Sequence, residues 1–121
     1  VFMEWPTPIT MSGFEIGEKI HTGIALIHNE SIQNSPVKDA FAIALAKDSN
    51  TIGRSSWDET AVLVAVRGFE PWFNYRMLNF KVETDGKNVL IPGDKIKYLT
   101  FKQKPEQIAA DIEKLMMHTP K

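Results

Sequence analysis

The pattern of polar and apolar residues is clearest between residues 55 and 68. The segment Ser55-Ser56-Trp57-Asp58-Glu59 is polar and acidic, and six apolar residues, 61–66, follow it closely. Serines ahead of a carboxylate are typical of a helix start, because a hydroxyl accepts from free N–H groups and the carboxylate offsets the positive end of the helix dipole. Arg67-Gly68 is typical of a helix end. The pattern therefore predicts a core helix, buried on all sides, whose polar start presents Trp57 and Asp58 at a surface or cleft.

The stretch before residue 20 predicts a strand that ends at a ligand-binding rim. Ile9-Thr10-Met11 has the pattern of a short buried strand, and Ser12-Gly13 ends it. Ligands of α/β folds bind at the carboxyl ends of strands. Residues 14–18 are therefore expected on the rim of a site, with Glu15 as a candidate substrate contact. The alternative is that Glu15 and Glu18 are solvated loop charges.

Two further helices are predicted before residue 48. Residues 20–27 have the spacing of a short amphipathic helix that Thr22-Gly23 interrupts. Ser35-Pro36 is a second helix start, with the serine as cap and the proline at the first helical position. His21 and His28 are seven residues apart, about two turns, whereas metal ligands on one helix prefer a spacing of about three or four. We therefore interpret both histidines as ordinary surface or boundary residues.

The period of the pattern changes after residue 72. Residues 73–82 alternate as in a strand with one more apolar face, and Thr84-Asp85-Gly86-Lys87 is a tight hairpin signal. Residues 88–91 and 96–101 supply further short strands, which together predict a small antiparallel meander. A last helix begins at Pro105. We expect an α/β fold with three or four helices, and residues 1–121 as a single unit, because no repeat, linker or low-complexity tract divides the chain.

The composition narrows the range of partners. The 14 basic and 15 acidic residues nearly cancel and form no long run of one sign, which argues against nucleic acid and anionic membrane surfaces. No apolar run approaches the roughly 20 residues that span a bilayer, and the N-terminus does not have the pattern of a signal peptide. The chain has no cysteine, which excludes thiol catalysis, disulfides and thiolate metal sites. Because this absence fits either redox environment, it does not distinguish a cytoplasmic from a periplasmic location.

The sequence has no phosphate-binding glycine loop, no H-E-x-x-H helix and no G-x-S-x-G elbow. It does resemble a known family in three segments: residues 6–17 (PTPITMSGFEIG), residues 35–37 (SPV) and residues 54–63 (RSSWDETAVL). These segments are similar, in order, to the C-terminal part of the inosine-uridine preferring nucleoside hydrolases, and residues 116–121 resemble the end of the bacterial branch. The resemblance covers about the last third to two-fifths of such an enzyme.

The resemblance implies hydrolysis of the N-glycosidic bond of a ribonucleoside with a calcium-bound water. In the family, calcium is held by an N-terminal D-x-D-x-x-x-D-D cluster and by one aspartate of a later H-D-P-x-A-V segment, which implies that Asp58 is that late ligand. Calcium takes about six to eight oxygen ligands, and the aspartate cluster is not in this sequence. We therefore expect calcium in an intact parent enzyme, none bound by this chain alone, and no catalytic residue or turnover in the isolated chain.

Two positions depart from the family pattern. Trp57 replaces the histidine proposed to protonate the departing base, and Glu59 replaces the proline. An indole cannot donate a catalytic proton, but it can stack on a base or simply pack. The expected partners are a ribonucleoside, the N-terminal half of the enzyme and further copies of the chain, since unpaired strand edges and apolar faces favour self-association. The alternative function is a non-catalytic interaction or assembly module derived from the same fold.

Overall fold

The computed structural model describes residue 2 and residues 4–118 of the chain. Over this part the fold is mixed α/β, as predicted. The helices are α1 (Phe14–Gly17), α2 (Ile24–His28), α3 (Pro36–Lys47), α4 (Trp57–Arg67) and α5 (Pro105–Met116). The strands are β1 (Ile9–Met11), β2 (His21–Thr22), β3 (Arg54–Ser55), β4 (Phe73–Val82) and β5 (Asn88–Phe101). The described residues thus form five helical segments instead of the expected three or four, and α1 lies within residues 14–18, which the sequence placed on the rim.

The main sheet has three strands in the order β1-β5-β4. β4 and β5 are antiparallel and turn at residues 83–87, which confirms the predicted hairpin. β1 runs parallel to β5, with Ile9 opposite Ile96 and Met11 opposite Tyr98. Because β1 is at the edge of the sheet, it is half-buried rather than buried as the sequence predicted. The parallel pairing brings the end of β1 beside Tyr98, although the two are far apart in the sequence.

The predicted meander of three antiparallel strands is wrong, because residues 88–101 form one strand. Leu78 pairs with Ile96 while its neighbour Asn79 pairs with Ile91, so residues 92–95 are an insertion within β5. The Asn79 side chain fills this bulge, and its Oδ1 accepts a hydrogen bond of 3.2 Å from the backbone N–H of Lys95. A Cβ on Gly93 would lie 2.1 Å from Asn79 Cγ. Gly93 therefore leaves space for the Asn79 side chain within the bulge.

The helix predicted for residues 20–27 is also wrong in its first half. His21 and Thr22 form β2, which pairs antiparallel with β3. Gly23 has a φ of 107° and separates β2 from α2. The Glu113 carboxylate of α5 accepts hydrogen bonds from the backbone N–H groups of Gly23 (2.6 Å) and Ala25 (3.1 Å). This distant carboxylate satisfies the first N–H groups of α2, a contact that local periodicity cannot predict.

Local signals predict α3 better than they predict α4. The Ser35 side chain accepts a hydrogen bond of 3.3 Å from the Lys38 backbone N–H, as the capping prediction requires. α4 has its predicted bounds and ends at Gly68, but it is not buried on all sides. Leu63 and Val64 are buried, whereas Val62 and Val66 are 60% and 72% exposed. Within the described structure the helix therefore packs through one face only, the face of Leu63 and Val64.

The core is divided between the two faces of the sheet. One buried cluster joins the inner faces of α4 and α5 to Phe73 and Leu99. The second is formed by Leu78, Phe80, Ile96 and Tyr98. Successive strand residues point to opposite faces, so Tyr98 and Leu99 contribute to different clusters. Among the described residues, no helix has both the length and the apolar character needed to cross a membrane.

Candidate functional site

Buried hydroxyl groups fix the start of α4. Ser56 is fully buried, and its hydroxyl shares a hydrogen bond of 2.8 Å with the hydroxyl of Thr22. Its backbone N–H donates to the carbonyl oxygens of Gly17 (3.0 Å) and Ile20 (2.9 Å), and the Thr60 hydroxyl donates to its carbonyl. Ser56 does not cap the helix through its side chain, contrary to the prediction. The serine instead ties α4 to the loop after α1 and to β2, which holds the following two residues in place.

Trp57 packs against α1. Its indole N–H donates a hydrogen bond of 3.0 Å to the Phe14 carbonyl oxygen, and the two aromatic rings are 5.3 Å apart. Gly17 allows this approach, since a Cβ there would lie 2.5 Å from the Trp57 Cα atom. The indole remains 41% exposed. Part of the ring can therefore still contact a ligand while its polar edge is held by α1.

Glu15 is held by a residue that the sequence analysis missed. The Tyr98 hydroxyl donates a hydrogen bond of 3.0 Å to Glu15 Oε2. Burial of the phenol, and then the hydrogen bond and negative charge of Glu15, raise the pKa of Tyr98 to about 12. Gly13 makes room for the pair, because a Cβ there would lie 1.9 Å from the Tyr98 hydroxyl oxygen. Glu15 is exposed, but it lies in α1 and accepts this hydrogen bond. It is therefore not a loop charge without a protein partner, as the alternative supposed.

Asp58 is exposed in the first turn of α4. In the part of the chain that the structure describes, its carboxylate has no hydrogen-bond or ion-pair partner. Asp58 and Glu59 separate two depressions. One is an apolar groove of about 470 Å³ between α4 and α5, and the other is a more polar pocket of about 270 Å³ that Phe41, Arg54 and Trp57 help to line. The carboxylate is thus free to bind a ligand.

The structure places the three predicted site residues near one another, with the link between α1 and α4 made by Phe14 and Trp57. Glu15 follows Phe14 on α1, and the Phe14 carbonyl holds Trp57, while Asp58 is the next residue of α4. His21 and His28 lie on different elements, β2 and α2. Over the described residues, no three His, Asp or Glu side chains come together to hold a metal ion. Asp58 alone cannot supply the oxygen ligands of calcium.

One buried polar atom at this edge lacks a partner. Ser12 follows β1 directly. Its hydroxyl oxygen is buried and has no hydrogen-bond partner among the described residues. A buried hydroxyl without a partner costs roughly 1–3 kcal/mol. Ser12 and the Tyr98–Glu15 pair flank Gly13, so the unsatisfied hydroxyl and the held carboxylate lie at the same end of β1.

Comparisons with known proteins identify no relative. No protein-family model matches the chain, and neither do the curated proteins or the solved structures.

Proposed function

We propose that this chain is the C-terminal part of a ribonucleoside hydrolase with a doubly wound α/β fold. In this proposal Asp58 is one ligand of a calcium ion, Trp57 contacts the base, and Glu15 is a further substrate contact. The remaining calcium ligands come from an aspartate cluster outside the 121 residues. The chain by itself then carries part of a site and does not turn over nucleosides.

The observation that carries the proposal is the contact between α1 and the start of α4. The two longer segments that resemble the hydrolase family, residues 6–17 and 54–63, are far apart in sequence. They meet at the Trp57–Phe14 hydrogen bond of 3.0 Å and at the Ser56–Gly17 backbone hydrogen bond of 3.0 Å. Their functional candidates therefore share one edge of the molecule, as residues of one substrate site must.

The chemistry of Asp58 suits a shared calcium site. Calcium prefers carboxylate oxygens, and this carboxylate is exposed and has no partner in the described chain. One carboxylate provides at most two of about six to eight ligands, so the described residues fit calcium only as one contributor. When bound, the ion would supply an activated water and a grip on the ribose hydroxyls.

Trp57 limits how the base can leave. An indole N–H does not act as a proton donor in catalysis, and here it is already bonded to the Phe14 carbonyl. The exposed part of the ring can stack on a nucleobase. We therefore assign Trp57 to base binding, and the proton for the leaving group to another residue or to none.

The second candidate is a non-catalytic interaction module. The exposed valines of α4, at 60% and 72%, favour it, because a helix face of this kind normally packs against another surface. The two functions differ in what precedes residue 1. The hydrolase requires the aspartate cluster there, whereas the module does not.

The test is to obtain the coding sequence upstream of residue 1 and to assay the longer protein with inosine and uridine in the presence of calcium. We expect the D-x-D-x-x-x-D-D cluster and nucleoside hydrolysis, with kcat/KM reduced on the order of 100-fold or more by Asp58→Asn. Asp39→Asn is the matched control, since Asp39 is also an exposed carboxylate in the first turn of a helix. Absence of the cluster, or equal activity of the two variants, would contradict the proposal.

A further inference from the structure

A pocket of about 550 Å³, here called the basic pocket, lies beside the ends of α4 and α5. Its lining residues come from the end of α4, the loop after it and the end of the chain, and they are Arg67, Trp72, Asp111, Lys114, Leu115 and His118. Asp58 lies at the other end of α4, roughly 14 Å along the helix axis at a rise of about 1.5 Å per residue. The basic pocket therefore includes none of the three candidate site residues, and its volume is in the range that holds a small molecule.

The two helices bring charges of both signs to the basic pocket. Arg67 lies three residues beyond Val64, on the face of α4 that shares a buried cluster with α5. Asp111 and Lys114 are three residues apart and so lie on one side of α5. His118 follows α5 and adds a third cation when it is protonated. The pocket thus combines cations from two different helices with one carboxylate from α5.

The Asp111 carboxylate does not neutralise these cations. Its Oδ2 accepts a hydrogen bond of 2.7 Å from the Trp72 indole N–H, and it forms no ion pair over the described residues. In the same part of the chain, the side chains of Arg67, Lys114 and His118 have no hydrogen-bond or ion-pair partner. The basic pocket therefore has an excess of positive charge that the protein leaves unpaired.

The helix dipole explains only part of this arrangement. Arg67 and Lys114 lie in the last turns of their helices, where a cation offsets the negative end of the dipole. A lysine near a helix end can also bind backbone carbonyl oxygens, as Lys38 does with those of Asn29 (2.7 Å) and Ile32 (3.1 Å). Neither Arg67 nor Lys114 does so within the described structure, and both line one cavity. Their convergence favours a bound anion.

We propose that the basic pocket binds a small phosphate monoester carried by a flat ring. Three cations and one carboxylate leave about two positive charges, which a phosphate monoester of about −1.5 to −2 balances and a single carboxylate does not. The guanidinium of Arg67 suits a phosphate because it can donate two parallel hydrogen bonds. Trp72 is half-buried, so the ligand ring can lie against its exposed part and against Leu115. This inference goes beyond the proposed hydrolase function, since the pocket needs neither Asp58 nor calcium.

Isothermal titration calorimetry of the 121-residue chain tests the ligand chemistry. Adenosine 5′-monophosphate should bind at one site, and adenosine and inorganic phosphate should each bind at least about tenfold more weakly, because each lacks one half of the ligand. Phenyl phosphate separates two sources of the same chemistry. Weaker binding than the nucleotide assigns the pocket to nucleotides, and equal binding assigns it to aromatic phosphates in general. Absence of binding by both esters, or equally tight binding of inorganic phosphate, would overturn the proposal.

Three variants locate the binding. Lys114→Gln should weaken binding of adenosine 5′-monophosphate about tenfold, because it removes a cation from the pocket. Lys47→Gln is the matched control, since Lys47 is also an exposed lysine in the last turn of a helix, α3. Asp111→Asn keeps an oxygen for the Trp72 indole N–H but removes a negative charge, so it should tighten binding several-fold.

The pattern across the variants separates binding from stability. A lysine that only offsets a helix dipole would change the unfolding midpoint and leave the affinity unchanged. Circular dichroism verifies that each variant is folded before titration. Equal affinity in the Lys114→Gln and Lys47→Gln variants, or weaker binding by Asp111→Asn, would contradict the assignment of the ligand to the basic pocket.

Discussion

The two halves of α4 differ in how the rest of the chain holds them. The first turn is tied to β2 by the hydrogen bond between the Ser56 and Thr22 hydroxyls, and to α1 and the loop after it by the Ser56 backbone N–H. The second half packs only its inner face, and Val66 is 72% exposed. One helix therefore combines a positioned polar start with an open apolar surface. Buried hydrogen bonds therefore add to apolar packing at the start of α4, whereas its second half packs through one face only.

The largest expected effect separates the inner and outer faces of α4. Leu63→Ala should lower the free energy of unfolding by about 2–4 kcal/mol, because Leu63 is only 4% exposed and its loss leaves a cavity. Val62→Ala should change it by less than about 0.5 kcal/mol, since Val62 is 60% exposed. Urea unfolding at low protein concentration measures both values. Similar losses for the two variants would mean that the outer face is buried after all.

A smaller effect is expected from the hydroxyls that hold the first turn. Thr22→Val keeps the shape of the side chain but removes the hydroxyl at 2.8 Å from that of Ser56, which keeps only the Arg54 carbonyl oxygen at 3.4 Å, at a cost of about 1–2 kcal/mol. Thr51→Val is the control, because Thr51 is exposed in the loop before β3 and should tolerate the change within about 0.5 kcal/mol. Equal stability of both variants in urea unfolding would show that the buried hydrogen bond does not fix α4.

The smallest expected effect concerns Tyr98, which holds Glu15 and has a pKa raised to about 12. The folded state favours the neutral phenol, whereas an unfolded tyrosine ionises near pH 10, roughly. Its contribution to stability is therefore complete below pH 10 and is lost as the pH rises toward 12. Absorbance near 295 nm should show a late ionisation that Tyr98→Phe removes and that Glu15→Gln shifts to lower pH. An unchanged titration in Glu15→Gln would contradict the Tyr98–Glu15 contact.

Local sequence signals predicted the elements whose determinants are neighbours in the chain. The Ser35 cap, the hairpin at residues 83–87 and the bounds of α4 depend on residues a few positions apart. They failed at residues 92–95, which were left between two predicted strands, whereas Gly93 accommodates the Asn79 side chain within the single strand β5. The same residue type serves a turn or a bulge, and only the paired strand decides which.

The candidate site was predicted in part. Trp57 and Asp58 were found from the polar start of α4, and Glu15 from the end of β1. Tyr98 was missed, because it reaches Glu15 only through the parallel pairing of β1 with β5, 83 residues away. Gly13 and Gly17 were the available signal, since both leave space for a large side chain from a distant segment. The exposed face of α4 was missed because the unbroken apolar run of residues 61–66 has no periodicity that separates its two sides.

Calcium titration of the proposed full-length hydrolase tests the assignment of Asp58 most directly. Calorimetry should show one calcium site whose affinity falls at least about tenfold in Asp58→Asn, because a carboxylate ligand is lost. Asp39→Asn should bind calcium as the unchanged protein does, since its carboxylate lies on α3. Equal calcium affinity in the Asp58→Asn and Asp39→Asn proteins would contradict the central claim.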